Sequence, residues 1–243
     1  MAEARLLNAG DCAVVVEFGN EISDEINRRI RAFSDAVEEN PVPGMVEMIP
    51  TFRSVLVQYD PSQISYRKIC RKLEAILGNL KTSGGQTKRI IEIPVCYEDE
   101  FALDLADVAE HAKISPEEVI QRHCAPDYLI YMLGFLPGFA YLGGLDQSIV
   151  TPRLSTPRTK IPAGSVGIGG EQTGIYPLES PGGWRLIGKT PVKPYDPNRP
   201  VPILYNAGDY IRFKRITRAE FGEIEQQVAA GAYQCKVIEE GKA

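Results

Sequence analysis

Gly134-Phe-Leu-Pro-Gly-Phe-Ala-Tyr-Leu-Gly-Gly-Leu145, Thr151-Pro-Arg153, Thr156-Pro-Arg158, Pro162-Ala-Gly-Ser-Val-Gly-Ile168, Gln172-Thr-Gly-Ile-Tyr-Pro177 and Ser180-Pro-Gly-Gly-Trp184 stand in this order in the second half of the chain. Residues 134 to 190 hold 12 of its 22 glycines. Glycine reaches positive φ and lets backbones approach closely, while proline fixes φ and removes a donor, so the stretch reads as loops and short strands rather than helix. It also carries charge. Between 145 and 193, Arg153, Arg158, Lys160, Arg185, Lys189 and Lys193 are set against Asp146, Glu171 and Glu179. Basic side chains on glycine-rich loops of an acidic protein point to an anion-binding site. Phe135, Phe139, Tyr141, Tyr176 and Trp184 are interleaved with the same glycines, either as core or as the wall of a pocket.

A chain of 243 residues exceeds the usual size of a single core, so two modest domains are expected. The net charge of -5 and the pI near 5.3 argue against nucleic acid as a partner. Cys12, Cys70, Cys96, Cys124 and Cys235 are odd in number and form no C-x-x-C pair, which fits free thiols in a reducing cytosol. His111 and His123 have no acidic or cysteine partners at ligand spacing, so no metal site is expected. With no apolar run long enough to span a bilayer, the protein reads as cytoplasmic, without a membrane partner.

Along the first third, Ala13 to Phe18 is β-rich. Ser23 caps a helix whose buried face is Ile26, Ile30, Phe33 and Val37 and which ends at Asn40-Pro41. Met45 to Ile49 and Ser54 to Tyr59 read as strands, and Tyr66, Ile69, Leu73, Ile76 and Leu77 mark a second amphipathic helix. This gives an α+β chain that opens with a small βαββα two-layer domain, residues 1–85, closed by a polar linker over Lys81 to Lys88. The second domain is residues 86–243. It starts with a strand, Ile90 to Val95, that crosses between the domains, then a helix over Leu103 to Lys113 and another from Ser115-Pro116-Glu117-Glu118. There Ser at N-cap, Pro at N1 and Glu at N3 form a capping box. From Tyr128 onward the reading is a β-barrel or sandwich, ending in Tyr210 to Phe213 and a short helix near Arg218 to Ala229. The paired helices resemble a helix-turn-helix, but Arg122 is the only fixed positive charge on the second, so phosphate attraction is missing.

Several motifs match an expression without its physics. Gly183 to Thr190 satisfies G-x-x-x-x-G-K-[ST]. A P-loop must feed a helix, though, and Thr190 is followed by Pro191-Val192-Lys193-Pro194, so the stretch is expected to be a strand leading into irregular chain. Gly167-Ile-Gly169-Gly170 lacks the third glycine of a dinucleotide site and reads as a turn. Ser165 lies one residue short of a nucleophile elbow. His123, just before the glycine segment, is a packed histidine or a base aimed at a pocket.

The ordered motifs closely resemble the bacterial family that comprises the B subunit of 5-oxoprolinase, the KipI-type sensor-kinase inhibitors and the so-called allophanate hydrolase subunit 1. The likeness covers nearly the whole chain and is weakest over the first 85 residues. It implies a C-terminal cyclophilin-like β-barrel and an ATP-dependent 5-oxoprolinase activity that opens 5-oxo-L-proline to L-glutamate, with ATP entering as its Mg complex. It also implies partners, a carboxyltransferase-like C subunit and a third, A subunit. KipI-type members imply the alternative of an inhibitor that binds a sensor histidine kinase and blocks its autophosphorylation. Family members commonly carry proline at Ala140 and arginine at Lys189. For such chemistry Arg153 and Arg158 are the first candidates for anion contacts, followed by Lys160, Lys189 and Arg185. Gln172 and Thr173 are candidates to orient a lactam, with backbone amides of Gly138, Gly164 and Gly183 as further donors. His123 is the candidate base, unless a partner subunit supplies it.

Overall fold

The computed structural model describes residues 4–80 and 88–241. The expected linker, apart from Lys88, lies outside the described residues. The chain divides into two compact units, 1–86 and 87–243.

In the first unit β1 (Arg5–Asn8), β2 (Ala13–Glu17), α1 (Asp24–Glu39), β3 (Met45–Pro50), β4 (Ser54–Tyr59) and α2 (Tyr66–Gly78) form an antiparallel sheet in the order β1-β2-β4-β3 with two helices packed on it. The order is ββαββα: the charged opening segment is an edge strand of its own, so βαββα was one strand short. Alternation explains the layering. Val14, Val16, Val55 and Val57 point under the helices and are buried, where they meet Ile26, Ile30, Phe33, Val37, Ile69 and Leu73 from the apolar helix faces. Ser23 caps α1 by accepting from the Ile26 amide at 3.2 Å.

The second unit contains β5 (Lys88–Cys96), α3 (Leu105–Ala112), α4 (Pro116–Cys124), β6 (Tyr128–Leu133), β7 (Ala140–Gly143), β8 (Arg158–Ile161), β9 (Ser165–Gly169), β10 (Gln172–Ile175), β11 (Ser180–Gly182), β12 (Arg185–Lys189), β13 (Tyr210–Ile216), α5 (Arg218–Ala229) and β14 (Val237–Glu240). Seven strands close a barrel in the order β12-β9-β10-β7-β6-β13-β5, and the seam is the pairing of Lys189 on β12 with Cys96 on β5. β5 and β13 are parallel and the other neighbours antiparallel. β5 therefore does not cross between units. It is a barrel strand, flanked by β13 and, over its first half, by β14, which the periodicity did not reveal. β8 and β11 form a separate two-stranded ribbon. Ile91, Ile93, Val95, Ile130, Leu142, Val166, Ile168, Ile187 and Phe213 fill the interior.

Ser115 caps α4 by accepting from the Glu118 amide at 3.1 Å. The reciprocal half of that capping box is replaced by a Glu118–Arg122 ion pair. The full box occurs on α5, between Thr217 and Glu220. Among the described residues no helix is long and apolar enough to cross a membrane.

Candidate functional site

The glycine segment builds one face of the barrel, where Phe139, Tyr176 and Trp184 are buried together with Ile161 and Leu186. Phe139 is the hub. Its ring meets those of Phe135, Tyr141, Tyr176 and Trp184 edge-on, with centroids between 5.2 and 5.7 Å apart. Edge-to-face contact is the favoured arrangement for aromatic pairs. Trp184 needs room, and glycine provides it: a Cβ on Gly169 would stand 2.3 Å from its indole, and one on Gly174 3.2 Å. Gly167 and Gly169 are thus strand residues, Gly167 admitting the Arg185 backbone and Gly169 the Trp184 ring, and only Gly170, with φ +67°, makes the turn expected there. Gly169→Ala is expected to push Trp184 off the barrel and cost about 1–3 kcal/mol. Urea unfolding together with the emission of this sole tryptophan checks it.

Phe135 departs from the rest of the plate. It is 63% exposed and has φ +65°, a conformation that strains a non-glycine residue and concentrates at binding loops. The Phe139 ring beneath it and the 3.1 Å bond from the Gly134 amide to the Phe139 carbonyl hold the loop.

The cations of the segment separate into different roles. Arg158 makes a two-pronged ion pair with Asp104 at 2.8 and 2.7 Å, and Asp104, 4% exposed, also accepts from the Leu186 amide at 2.6 Å. The pairing with Asp104 holds the Arg158 guanidinium above its usual range, although burial opposes it. Arg158 is therefore a clamp between β8, the start of α3 and β12, not an open anion contact. Asp104 occupies the N-cap position of α3 yet does not cap it with its side chain, because both oxygens are engaged elsewhere. Lys160 pairs with Glu179 at 3.0 Å, Arg185 with Asp107 and Lys193 with Asp196 at 3.8 Å. Acids from outside the basic segment, namely Asp104, Asp107 and Asp196, thus neutralise much of it. Lys189 lies over the rings of Phe101 and Phe221, at 5.3 and 5.9 Å. Arg153 is exposed, and its guanidinium rests 5.8 Å from the Trp184 ring centroid.

His123 does not face a surface pocket. It is fully buried and stacked on Phe213 at 4.6 Å, and desolvation lowers its pKa to about 3. Its hydrogen bonds define a chain of protons. The Thr173 hydroxyl donates to the Gly167 carbonyl at 3.0 Å, so it must accept from His123 Nε2, 2.7 Å away. Nδ1 is then unprotonated and accepts from the Tyr97 hydroxyl at 2.8 Å, which accepts in turn from the Cys124 thiol at 3.4 Å. Thr173 is correspondingly sealed inside the barrel, with no hydroxyl left for a lactam, while Gln172 at the mouth of the same strand is half-buried. The Gly164 amide is spent on the Tyr176 carbonyl at 2.7 Å. Gly138, φ +77°, presses against Tyr195 and gives its carbonyl to the Tyr205 hydroxyl at 2.8 Å, and the Gly183 carbonyl receives the Leu154 amide at 2.7 Å. Within the Gly183 to Thr190 stretch, Arg185–Lys189 is a strand, and the chain after it is not helical.

The family model described as "Carboxyltransferase domain, subdomain C and D" matches residues 4–205, and the chain belongs to that family. Within it the chain is similar to the B subunit of 5-oxoprolinase from Bacillus subtilis (strain 168), 44% identical over 228 residues that cover 90% of this chain and 95% of that one. It is also similar to the B subunit of 5-oxoprolinase from Escherichia coli O157:H7, 39% identical over 214 residues, 88% of this chain and 96% of that one. The crystal structure of the K. lactis urea amidolyase superposes with a TM-score of 0.83 at 25% identity, covering 98% of this chain and 16% of that much longer one.

Proposed function

We propose that this chain is the B subunit of an ATP-dependent 5-oxoprolinase, which converts 5-oxo-L-proline to L-glutamate in the cytoplasm together with a carboxyltransferase-like C subunit and a third, A subunit. The observation that carries the reading is the end-to-end match to the 5-oxoprolinase B subunits, in which 95% of the Bacillus subtilis relative is covered. Opening a stable lactam against its equilibrium needs the free energy of ATP hydrolysis, with positive groups around the oxyanions of substrate and nucleotide. Among the segment's cations, Arg153 is open to such an oxyanion and Lys189, held over two rings, is the next candidate. His123, buried as a neutral imidazole, is withdrawn from the role of general base, and on this reading a partner subunit supplies the base and the remaining nucleotide contacts.

The purified chain alone is therefore expected to release no glutamate from 5-oxoproline and ATP above background, and the complex co-expressed with its partner subunits is expected to do so in proportion to ATP consumed. Turnover by the single chain, with contaminants excluded, overturns the shared site. A complex without turnover overturns the function. The kinase-inhibitor alternative has one feature in its favour, the exposed and strained Phe135 as an aromatic docking knob. Inhibition of a sensor histidine kinase's autophosphorylation by the wild-type chain, lost on Phe135→Ala, is its test.

A further inference from the structure

We infer that Arg153, which lies over Trp184, is the residue with which this chain reads the oxyanion of a small ligand, and that Trp184 reports its occupation. This rests on the reading of the chain as a 5-oxoprolinase subunit for the identity of the ligand, and on geometry alone for the site. Of the six cations in the basic segment, Arg158, Lys160, Arg185 and Lys193 are held by carboxylates, and Lys189 lies over Phe101 and Phe221. Among the described residues Arg153 has no carboxylate within ion-pairing distance, and its fixed neighbour is the Trp184 ring. A guanidinium drawn over an indole face keeps its N–H groups available to a ligand.

The backbone under Arg153 is equally constrained. Thr151 is bridged to Gly170, the Pro152 carbonyl accepts from Arg185 Nε at 3.4 Å, and the Leu154 amide donates to the Gly183 carbonyl at 2.7 Å. Each neighbour of Arg153 is thus tied down while its own side chain is left toward solvent. The Tyr176 phenol nearby is raised by burial, a shift that the Trp184 amide and the charges of Arg153 and Arg158 offset only in part. The carboxylate of 5-oxoproline suits an outward guanidinium of this kind. A phosphate oxyanion of the nucleotide shares the same chemistry, and the experiment separates the two.

The chain holds a single tryptophan, so its emission is a private signal for this site. Titration of the full chain with 5-oxoproline is expected to give a saturable change in Trp184 emission that 2-pyrrolidinone, the same ring without its carboxylate, does not give. Arg153→Ala is expected to abolish the response and Arg153→Lys to weaken it about tenfold, because the planar fork is lost. In the assembled complex, Arg153→Ala is expected to raise the KM for 5-oxoproline by about tenfold or more with kcat little changed, the signature of lost ligand binding. A rise in the KM for ATP instead, or an emission response to ATP and inorganic phosphate only, assigns the oxyanion to phosphate and keeps Arg153 as its reader. Responses and both KM values unchanged by Arg153→Ala overturn the inference. A wild-type complex with no glutamate release sinks the proposed function, and the emission titration alone then decides the role of Arg153.

Discussion

Replacing Asp104 by alanine is expected to destabilise the barrel unit by about 3–4 kcal/mol, because it strands the Arg158 guanidinium and the Leu186 amide that share one carboxylate. The carboxylate side chain is 6% exposed and its arginine 28%, so water compensates the stranded guanidinium only in part. At this chain size the loss corresponds to a fall in Tm of roughly 10 °C. Asp104→Asn keeps an oxygen for the Leu186 amide but loses the charge, and is expected to lie between wild type and alanine. Differential scanning calorimetry of the three proteins tests the order, and a Tm within error for all three removes the clamp.

His123→Ala is expected to cost about 4 kcal/mol, the sum of a cavity beside Phe213, a Tyr97 hydroxyl left without its acceptor and the lost bond to Thr173. The same residue sets an acid limit. Its pKa in the fold is about 3 against 6.5 for an exposed imidazole, so below pH 6.5 the unfolded chain takes up a proton that the folded one refuses. Stability from this group is complete above pH 6.5 and drains away as pH falls towards 3, amounting to about 2 kcal/mol between pH 7 and pH 5. His123→Gln retains polar groups but cannot titrate, so although less stable than wild type at pH 7 it is expected to lack this slope. Urea unfolding at both pH values measures it, and equal slopes in the two proteins would falsify the assignment.

Much of the fold could be read from local chemistry. Ser23, the Ser115-Pro116 pair and the periodic apolar faces placed α1, α2 and α4, and the proline after Lys189-Thr190 separated a strand from a P-loop. What escaped the reading is long-range. Arg158 looked free because its acid stands 54 residues earlier, and no local pattern marks Asp104 as anything but an N-cap. His123 and Thr173 looked like separate site candidates because they are 50 residues apart, whereas each exists to satisfy the other inside the barrel. β14 was missed because its four residues, Val237–Glu240, carry no buried alternation, and β5 was misplaced because closure depends on partners distant in sequence. In the sequence the surviving candidate, Arg153, could not be told from Arg158, since each follows a Thr-Pro pair; it stood out only once the others were seen to be paired.

The parallel pairing of β5 with β13 governs how the protein is made. Ile90 lies against Tyr210 and Cys96 against Ile216, so the first barrel strand to leave the ribosome must wait for about 120 further residues before its neighbour exists. Until then Ile91, Ile93 and Val95, all fully buried at the end, present a sticky strand edge to the crowded cell, while the ββαββα unit, complete by residue 80, is free to fold ahead of it. Nascent chains arrested before residue 210 should accordingly engage chaperones through the barrel segment alone, a demand that eases once residue 216 has emerged and ends when β14 covers the other edge of β5.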